Sequence, residues 1–359
     1  MIKSIYLNAF KTFNYANIDF GKLTVLTGLN GSGKSTIIQA IRMVSHAIND
    51  MPCYLKGYGG YEELRSKYSL MGSDITVSVL NEEGRFFNLV LNKSKIKMDG
   101  DINKKCYPNF EYISADRLGP CTSLPIMGVN DRKIQIGEKG EYSADFFKKF
   151  ESVLVDENLR HLDTKSNKLS FQLSQWMGEI SPGVKLDFSV EKKHDLSHVE
   201  INEHRATNTG FGISYCLPII LASLVLSSKE TLSGFEYQHI EEWFNHNLQN
   251  TPILLIENPE AHLHPRGQTA MGTLLAKVAS CGVQVIVETH SDHFIDGVRL
   301  AVKNEEIVKS EDVAIYYFKS TKETETEIEK ILIKENGKLD KWPEGFFDQT
   351  MINLRMLSK

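Results

Sequence analysis

Residues 28–35 read Gly28-Leu29-Asn30-Gly31-Ser32-Gly33-Lys34-Ser35 and stand between an apolar run and a helix-forming one. Glycines at this spacing let backbone N–H groups close around β- and γ-phosphates. Lys34 then supplies a point charge, and Ser35 presents its hydroxyl to Mg²⁺. Leu23-Thr24-Val25-Leu26-Thr27 predicts a buried strand, and Thr36 to Arg42 a helix whose N-terminus faces the anion. Asn30, Gly31, Ser32, Gly33, Lys34, Ser35 and Thr36 are therefore the candidate phosphate-binding residues. The motif implies a bound nucleotide.

Composition narrows the class. At 359 residues the chain has room for one large α/β domain with insertions or for two small domains, and its 41% hydrophobic and 24% charged residues are those of a globular protein. A net charge of −5 provides no global basic field for nucleic acid. Cys53, Cys106, Cys121, Cys216 and Cys281 are scattered without a CxxC pair, which predicts reduced thiols and a cytoplasmic protein. The longest apolar run, 217–226, contains Pro218 and is too short to span a membrane, so no membrane partner is expected.

Residues 2–20 alternate as two short strands around Ala9-Phe10-Lys11-Thr12-Phe13, and 74–80 with 86–92 form a predicted hairpin. The lysines that follow (Lys93, Lys95, Lys97, Lys104, Lys105) are read as a solvated loop, with a DNA-contacting strip as the alternative. Helical periodicity over 143–180 predicts two helices, and 185–202 a second hairpin. From 205 onward the pattern is parallel α/β: helix 214–228, strand 252–257, helix 266–280, strand 283–288, helix 292–303. Strands near 312–318 and 327–334 follow, with a turn at Asn336-Gly337.

Ile253-Leu254-Leu255-Ile256-Glu257 is a buried strand ending in a carboxylate, as expected of a residue that holds Mg²⁺ through water beside the phosphate loop. It runs on into Asn258-Pro259-Glu260-Ala261-His262-Leu263-His264-Pro265. A second such strand, Val283 to Val287, leads through Glu288-Thr289 to His290. Between loop and carboxylate lies Gly210-Phe211-Gly212-Ile213-Ser214, whose N–H groups and Ser214 hydroxyl could cap a phosphate.

These four elements in this order resemble the ATP-binding-cassette ATPases, in particular their soluble branch of chromosome-maintenance and recombination-repair heads and the OLD-type ATPases. The resemblance implies ATP as ligand and Mg²⁺ held by Ser35 and Glu257, with Glu257 as the Walker B acid, His290 as the switch histidine and His264 at the D-loop position. Gly210, Gly212 and Ser214 match a diverged signature loop, and Lys11 an N-terminal basic residue near the phosphates. Tyr112 to Arg117 and Trp342-Pro343-Glu344-Gly345-Phe346-Phe347-Asp348 also recur among such ATPases. The implied fold is α/β: a P-loop NTPase of ABC-ATPase type, with a mostly parallel central sheet, an antiparallel β subdomain and a compact helical insertion. Residues 1–359 would form one domain, with 130–204 as an inserted lid and 305–359 as a C-terminal β extension.

Two departures from the family pattern bear on catalysis. Asn258 stands where a glutamate usually polarises the attacking water, and an amide cannot accept that proton. Either Glu260 takes over or hydrolysis is slow, so Glu257, Asn258, Glu260 and His290 remain the catalytic candidates. No Q-loop glutamine follows strand 110–114; Arg117 lies there, either sensing the γ-phosphate or bracing the lobe through an ion pair. His262 and His293 are read as packing or interface residues rather than metal ligands, and Phe346-Phe347 as a core turn anchor.

The chain has neither a clustered acidic nuclease set after Ser291 nor coiled-coil heptads over 120–205. Such a module without an effector implies an ATPase subunit that dimerises around ATP and regulates a separately encoded nuclease or toxin, in prokaryotic anti-phage defence. The alternatives are a repair or recombination ATPase that binds duplex DNA directly, and a non-hydrolysing ATP-gated scaffold.

Overall fold

The computed structural model describes residues 1–128, 134–303, 307–319, 325–343, 345–346 and 349–358. The strand runs of the first hundred residues are β1 (Ile2–Phe10), β2 (Phe13–Asp19), β3 (Leu23–Gly28), β4 (Ile75–Asn81), β5 (Phe86–Leu91) and β6 (Ile96–Gly100), with helix α1 (Lys34–Ile48) between β3 and β4. Then come β7 (Phe110–Ile113), α2 (Ser143–Phe150), α3 (Leu169–Ile180) and the hairpin β8 (Leu186–Glu191) and β9 (Leu196–Ile201). The second half is α4 (Phe211–Leu226), α5 (Gln238–Gln249), β10 (Ile253–Glu257), α6 (Pro265–Ser280), β11 (Gln284–Glu288), α7 (Asp292–Lys303), β12 (Val313–Lys319), β13 (Glu327–Ile331) and α8 (Gln349–Leu357).

Six strands form the central sheet in the order β13-β12-β3-β11-β10-β7, and every pairing is parallel except β13 with β12. Both of its faces are covered, which is why its strands read as unbroken apolar runs rather than alternating ones. Leu254 and Ile256 point into one core with α2, α3, α4, α6 and α7; Ile253 and Leu255 point into the other with α1 and the antiparallel sheet. That second sheet has the order β2-β1-β4-β5-β6 and covers α1 from outside. Gln284 joins the two sheets: its buried carboxamide accepts from Ile2 N at 2.8 Å and donates to Ile2 O at 2.7 Å.

The structure departs from the sequence reading in four places. The lysine-rich stretch contains β6, an edge strand; all five of its residues are exposed, so no apolar alternation marks it. Helix α5 was not expected, because only Ile240, Phe244 and Asn247 of its twelve residues are buried. Helix α4 begins at Phe211, three residues before the expected 214, with Gly210 as its N-cap, so Ser214 lies inside the first turn and Pro218 in the helix. The tail is not a β extension alone: β12 pairs directly with β3 inside the central sheet, and α8 is helical. Within 130–204, the described residues include α2, α3 and the β8–β9 hairpin; Phe147 of α2 stacks on Phe188 of β8 at 4.1 Å, while α3 packs on α4 and α6. Glu344, Phe347 and Asp348 of the C-terminal motif, and residues 130–133 of the insertion, lie outside the described residues. Among the described residues no helix is long and apolar enough to cross a membrane.

Candidate functional site: a phosphate loop backed by three carboxylates

Strand β3 ends at Gly28, and the loop turns into α1 through Gly33, which sits at φ 96° as the N-cap without a side-chain cap. A β-carbon there would stand 2.5 Å from Thr12 Oγ1, so the left-handed turn and the space both require glycine. The first amides of α1 lack intrahelical acceptors and gather at the loop, together with the positive end of the helix dipole. Asn30 and Gly31 are exposed on the outer rim, whereas Ser32, Lys34 and Thr36 are buried. Ser32 Oγ has no hydrogen-bond partner among the described residues. Lys34 Nζ folds back to donate to the carbonyls of Gly28 (3.1 Å) and Leu29 (2.7 Å). Burial lowers its pKa, and the charges of Glu288 and Glu260 act against that.

Lys11 adopts φ 51°, donates its amide to Leu64 O at 2.8 Å and turns its side chain toward α1. There Nζ donates to Gln39 Oε1 and lies 4.8 Å from the centre of the Tyr58 ring. Gln39 is one turn beyond Ser35, so this ammonium stands near the loop and is itself partly desolvated.

Behind the loop the carboxylates are arranged differently from what the sequence suggests. Glu257 and Glu288 are register partners across the parallel β10–β11 pair. Because β11, not β10, is hydrogen-bonded to β3, it is Glu288 that reaches the loop. Ser35 Oγ donates to Glu288 Oε2 at 2.7 Å, and Lys34 Nζ stands 3.8 Å from Oε1. Burial, followed by the charges of Glu257 and Glu260, raises the Glu288 carboxyl to about 7 in spite of the Ser35 and Lys34 contacts. Sequence reasoning passed over Glu288. The signal was the one used for Glu257, an apolar strand ending in a carboxylate.

Glu257 accepts from Ala115 N at 3.3 Å, and burial raises its pKa as well. Asn258 follows at φ 46°, a left-handed conformation that asparagine tolerates better than glutamate. Its amide donates to Glu288 O at 2.8 Å, and its Oδ1 is buried with no partner among the described residues. Glu260 is fully engaged: His290 N donates to Oε1 at 2.7 Å and the Thr289 hydroxyl to Oε2 at 2.8 Å. It therefore fixes the Thr289–His290 segment, and burial keeps its pKa above the usual range. Burial and the nearby Lys34 charge lower the pKa of His290, favouring the neutral ring, whose Nε2 is 3.9 Å from Glu288.

Arg117 is 3% exposed and braces the site through backbone carbonyls rather than through an ion pair. Nη1 donates to Ser114 O (2.8 Å) and Glu257 O (2.7 Å), Nη2 to Asn258 O (2.6 Å), and the guanidinium lies over the Tyr215 ring of α4. Desolvation lowers its pKa to about 10. The Gly210–Ser214 turn packs against this assembly. A β-carbon at Gly212 would stand 2.9 Å from His262 O, and the His262 ring contacts Phe211 and Tyr215. Phe211 remains 53% exposed, and among the described residues no hydrogen bond or ion pair links this turn to residues 28–36. His264 is the N-cap of α6. Among the described residues no three His, Cys, Asp or Glu side chains converge as a metal cluster.

A family profile described as an AAA ATPase domain matches residues 1–105 and 91–295, spanning the loop, both carboxylate strands and His290. The chain belongs to the AAA ATPase domain family. A second profile, described as a protein of unknown function (DUF3696), matches residues 308–357. Among solved structures, the chain is similar to the Smc head bound to the C-winged helix domain of ScpA, at 16% identity and TM-score 0.57, covering 93% of this chain and 98% of that one. It is also similar to the Smc head domain with an extended coiled coil bound to the C-terminal domain of ScpA, derived from Pyrococcus furiosus. That match has 14% identity and TM-score 0.51, and covers 100% of this chain and 99% of the other. No curated protein matches. The fold is thus that of the Smc-type ABC ATPase heads, as the resemblance implied, and the family is one of ATP-binding ATPases.

Proposed function

We propose that this chain is an ATP-hydrolysing subunit that closes with a second copy around ATP and gates a separately encoded nuclease or toxin in prokaryotic anti-phage defence. The observation that carries the reading is the division of the site. The loop, Lys34, Ser35 and the carboxylates form one wall, while the N-terminus of α4 has no side-chain cap, Phe211 in its first turn is 53% exposed, and among the described residues no hydrogen bond or ion pair ties this turn to the loop. A second copy brings its α4 N-terminus to the first copy's loop, completing the anion's coordination. Leu29, 58% exposed on the loop itself, gains cover in the same closure.

The residues fit a hard divalent cation. Two carboxylates side by side in register, Glu288 buried and Glu257 half-buried, both with raised pKa values, are an arrangement that a cation relieves, and the Ser35 hydroxyl contacts Glu288. Ser35 with Glu288 and Glu257 would hold Mg²⁺, which when bound neutralises charge on the phosphates. Lys34 leaves the Gly28 and Leu29 carbonyls for the phosphate oxygens. Asn258 Oδ1, buried and unpartnered, accepts from the attacking water and orients it; Glu260 fixes His290 beside the γ-phosphate. Phosphoryl transfer with a loose transition state depends on such positioning more than on a strong base, so turnover is slow but real.

Light scattering and turnover assays test this together. Wild type should dimerise with ATP and hydrolyse it, and Lys34→Ala should do neither. A Ser214→Arg chain that still binds ATP should remain monomeric. ATP-bound wild type that stays monomeric would sink the shared site, and failure of wild type to bind ATP would sink the whole reading. An adjacent gene for a nuclease or toxin, with activity controlled by this chain, would identify the output. Direct duplex binding is less favoured by the structure: of the five lysines, Lys93 is paired with Glu62 and Lys104 with Asp50. Steeply salt-dependent duplex binding would reverse that preference.

A further inference from the structure

The sheet that covers α1 ends in β6, and among the described residues no further strand pairs with its outer edge. The hydrogen-bonding phase of β6 is fixed at its two ends. Asn92 N donates to Lys95 O at 3.0 Å, and Asp101 N to Phe86 O at 3.0 Å. Bonded pairs alternate in an antiparallel ladder, so Lys97 and Asp99 bond to β5 while the backbone groups of Ile96, Met98 and Gly100 point outward. The side chains add a pattern to this free edge. Ile96 and Met98 stand opposite Leu91 and Leu89, which are fully buried, yet they are themselves 46% and 57% exposed. On the other face Lys97 and Asp99 stand opposite Val90 and Asn88, and no ion pair joins either to another described residue.

An open edge is a template for one more strand, and the charges on it select which strand. A second copy of this chain, related by a two-fold axis perpendicular to the sheet, presents the same edge running antiparallel. Only outward-pointing residues can form its bonded pairs, so the axis passes through Ile96, Met98 or Gly100. Through Ile96 it sets Lys95 against Lys97 of the other copy, and through Gly100 it sets Asp99 against Asp101; like charges oppose each other in both. Through Met98 it sets Lys97 against Asp99 of the other copy, twice, in the closely spaced pairs of the ladder. Met98 then meets its own symmetry mate, and Ile96 faces Gly100, which has no side chain to obstruct it. We propose that two copies of this chain pair through β6 in this one register, joining their five-stranded sheets. β6 lies at the opposite edge of the sheet from β2, whose Phe13 flanks Gly33 of the phosphate loop, so this contact is separate from closure around ATP. Strands this short bury little area, and a Kd of about 0.1–1 mM follows, which leaves the nucleotide-free chain monomeric at about 10 µM.

Sedimentation equilibrium of the full chain without nucleotide, up to about 0.5 mM, tests it. Wild type should show a monomer–dimer equilibrium, and Ser214→Arg should associate as wild type does, whatever becomes of the ATP reading. Lys97→Glu or Asp99→Lys alone places like charges together at both sites and should weaken association at least about tenfold. The double variant Lys97→Glu, Asp99→Lys restores opposite charges and should return to within about threefold of wild type. Cysteine linking by diamide checks the register. Met98→Cys should give a linked dimer, because its bonded partner stands about 5.5 Å away at Cα. Ile96→Cys, about 14 Å from its symmetry mate, should give no more linked dimer than wild type. No association up to about 0.5 mM would overturn the proposal. So would single charge variants as tight as wild type, a double variant as weak as the singles, or equal linking through positions 96 and 98.

Discussion

Glu288 offers the sharpest test of the site, because its chemistry predicts a gain of stability on mutation. Its carboxyl rises from the model-compound 4.5 to about 7, chiefly through burial and then through Glu257 and Glu260. A folded-state pKa above the unfolded one means that the folded chain holds the proton between those values. Its contribution is therefore fully present below pH 4.5 and is lost as pH climbs through 7. At about 1.4 kcal/mol per unit, the cost of ionised Glu288 above pH 7 is about 3 kcal/mol. Glu288→Gln removes the charge and keeps an acceptor for Ser35. With an unfolding entropy scaled to the chain's 359 residues, about 3 kcal/mol corresponds to a rise of about 4 °C in Tm. Nucleotide-free Glu288→Gln should thus melt above wild type at pH 8, and the gap should close toward pH 5. Saturating Mg²⁺ with ATP should reverse the order, since a cation at Ser35 offsets the wild-type charge and has less to bind in the variant. Scanning fluorimetry across this pH range, with and without nucleotide, measures all of it. A variant that melts at or below wild type at pH 8 would refute the reasoning, as would a gap that is the same at every pH.

Three further outcomes follow from the contacts. Asn258→Glu places a poor left-handed residue at φ 46° and should cost about 1–2 kcal/mol, whereas Asn258→Gly should cost less while slowing turnover; equal melting of the two would contradict the backbone argument. Arg117→Lys replaces a fork serving three carbonyls with a single ammonium, and chemical denaturation should show a loss of about 2–4 kcal/mol; a change below about 0.5 kcal/mol would remove the bracing role. Glu260→Gln retains only one acceptor for the two switch donors, so ATP affinity should stay within about threefold while turnover falls at least about tenfold. Undiminished turnover in that variant would show that His290 needs no such anchor.

How far the sequence revealed this molecule depends on whether the information is local. Helix 292–303 and the ends of β10 and β11 were legible because apolar runs bounded by charged or turn residues carry their own limits. The hairpin 74–92 was legible because alternation marks a sheet with one face in the core. Strand β6 and helix α5 were not, since an edge strand exposed on both faces and a helix with three buried residues present little pattern to read. The left-handed backbone at Asn258 was legible only in outline: asparagine in place of glutamate reads as a catalytic loss, whereas its φ of 46° gives the substitution a conformational reason.

The role of Glu288 was hidden for a different reason. Motif order along the chain assigns the loop's carboxylate to the first strand that ends in one, which is β10. Strand order in the sheet decides the contact instead: β11 lies between β3 and β10, so the carboxylate at its end meets Ser35, and Glu257 is one strand farther away. Two carboxylates at neighbouring strand ends and a third just beyond one of them then lie together; burial raises all three, and the charges of Glu257 and Glu260 raise Glu288 further. Chemistry that depends on which strand is a neighbour cannot be read from spacing, because adjacency in a parallel sheet is set by crossovers of dozens of residues. The three side chains that look like successive motif positions in one dimension are divided in the fold: Glu288 meets Ser35 of the loop, Glu260 holds Thr289 and the His290 amide, and Glu257 accepts from Ala115 on the far side of Glu288.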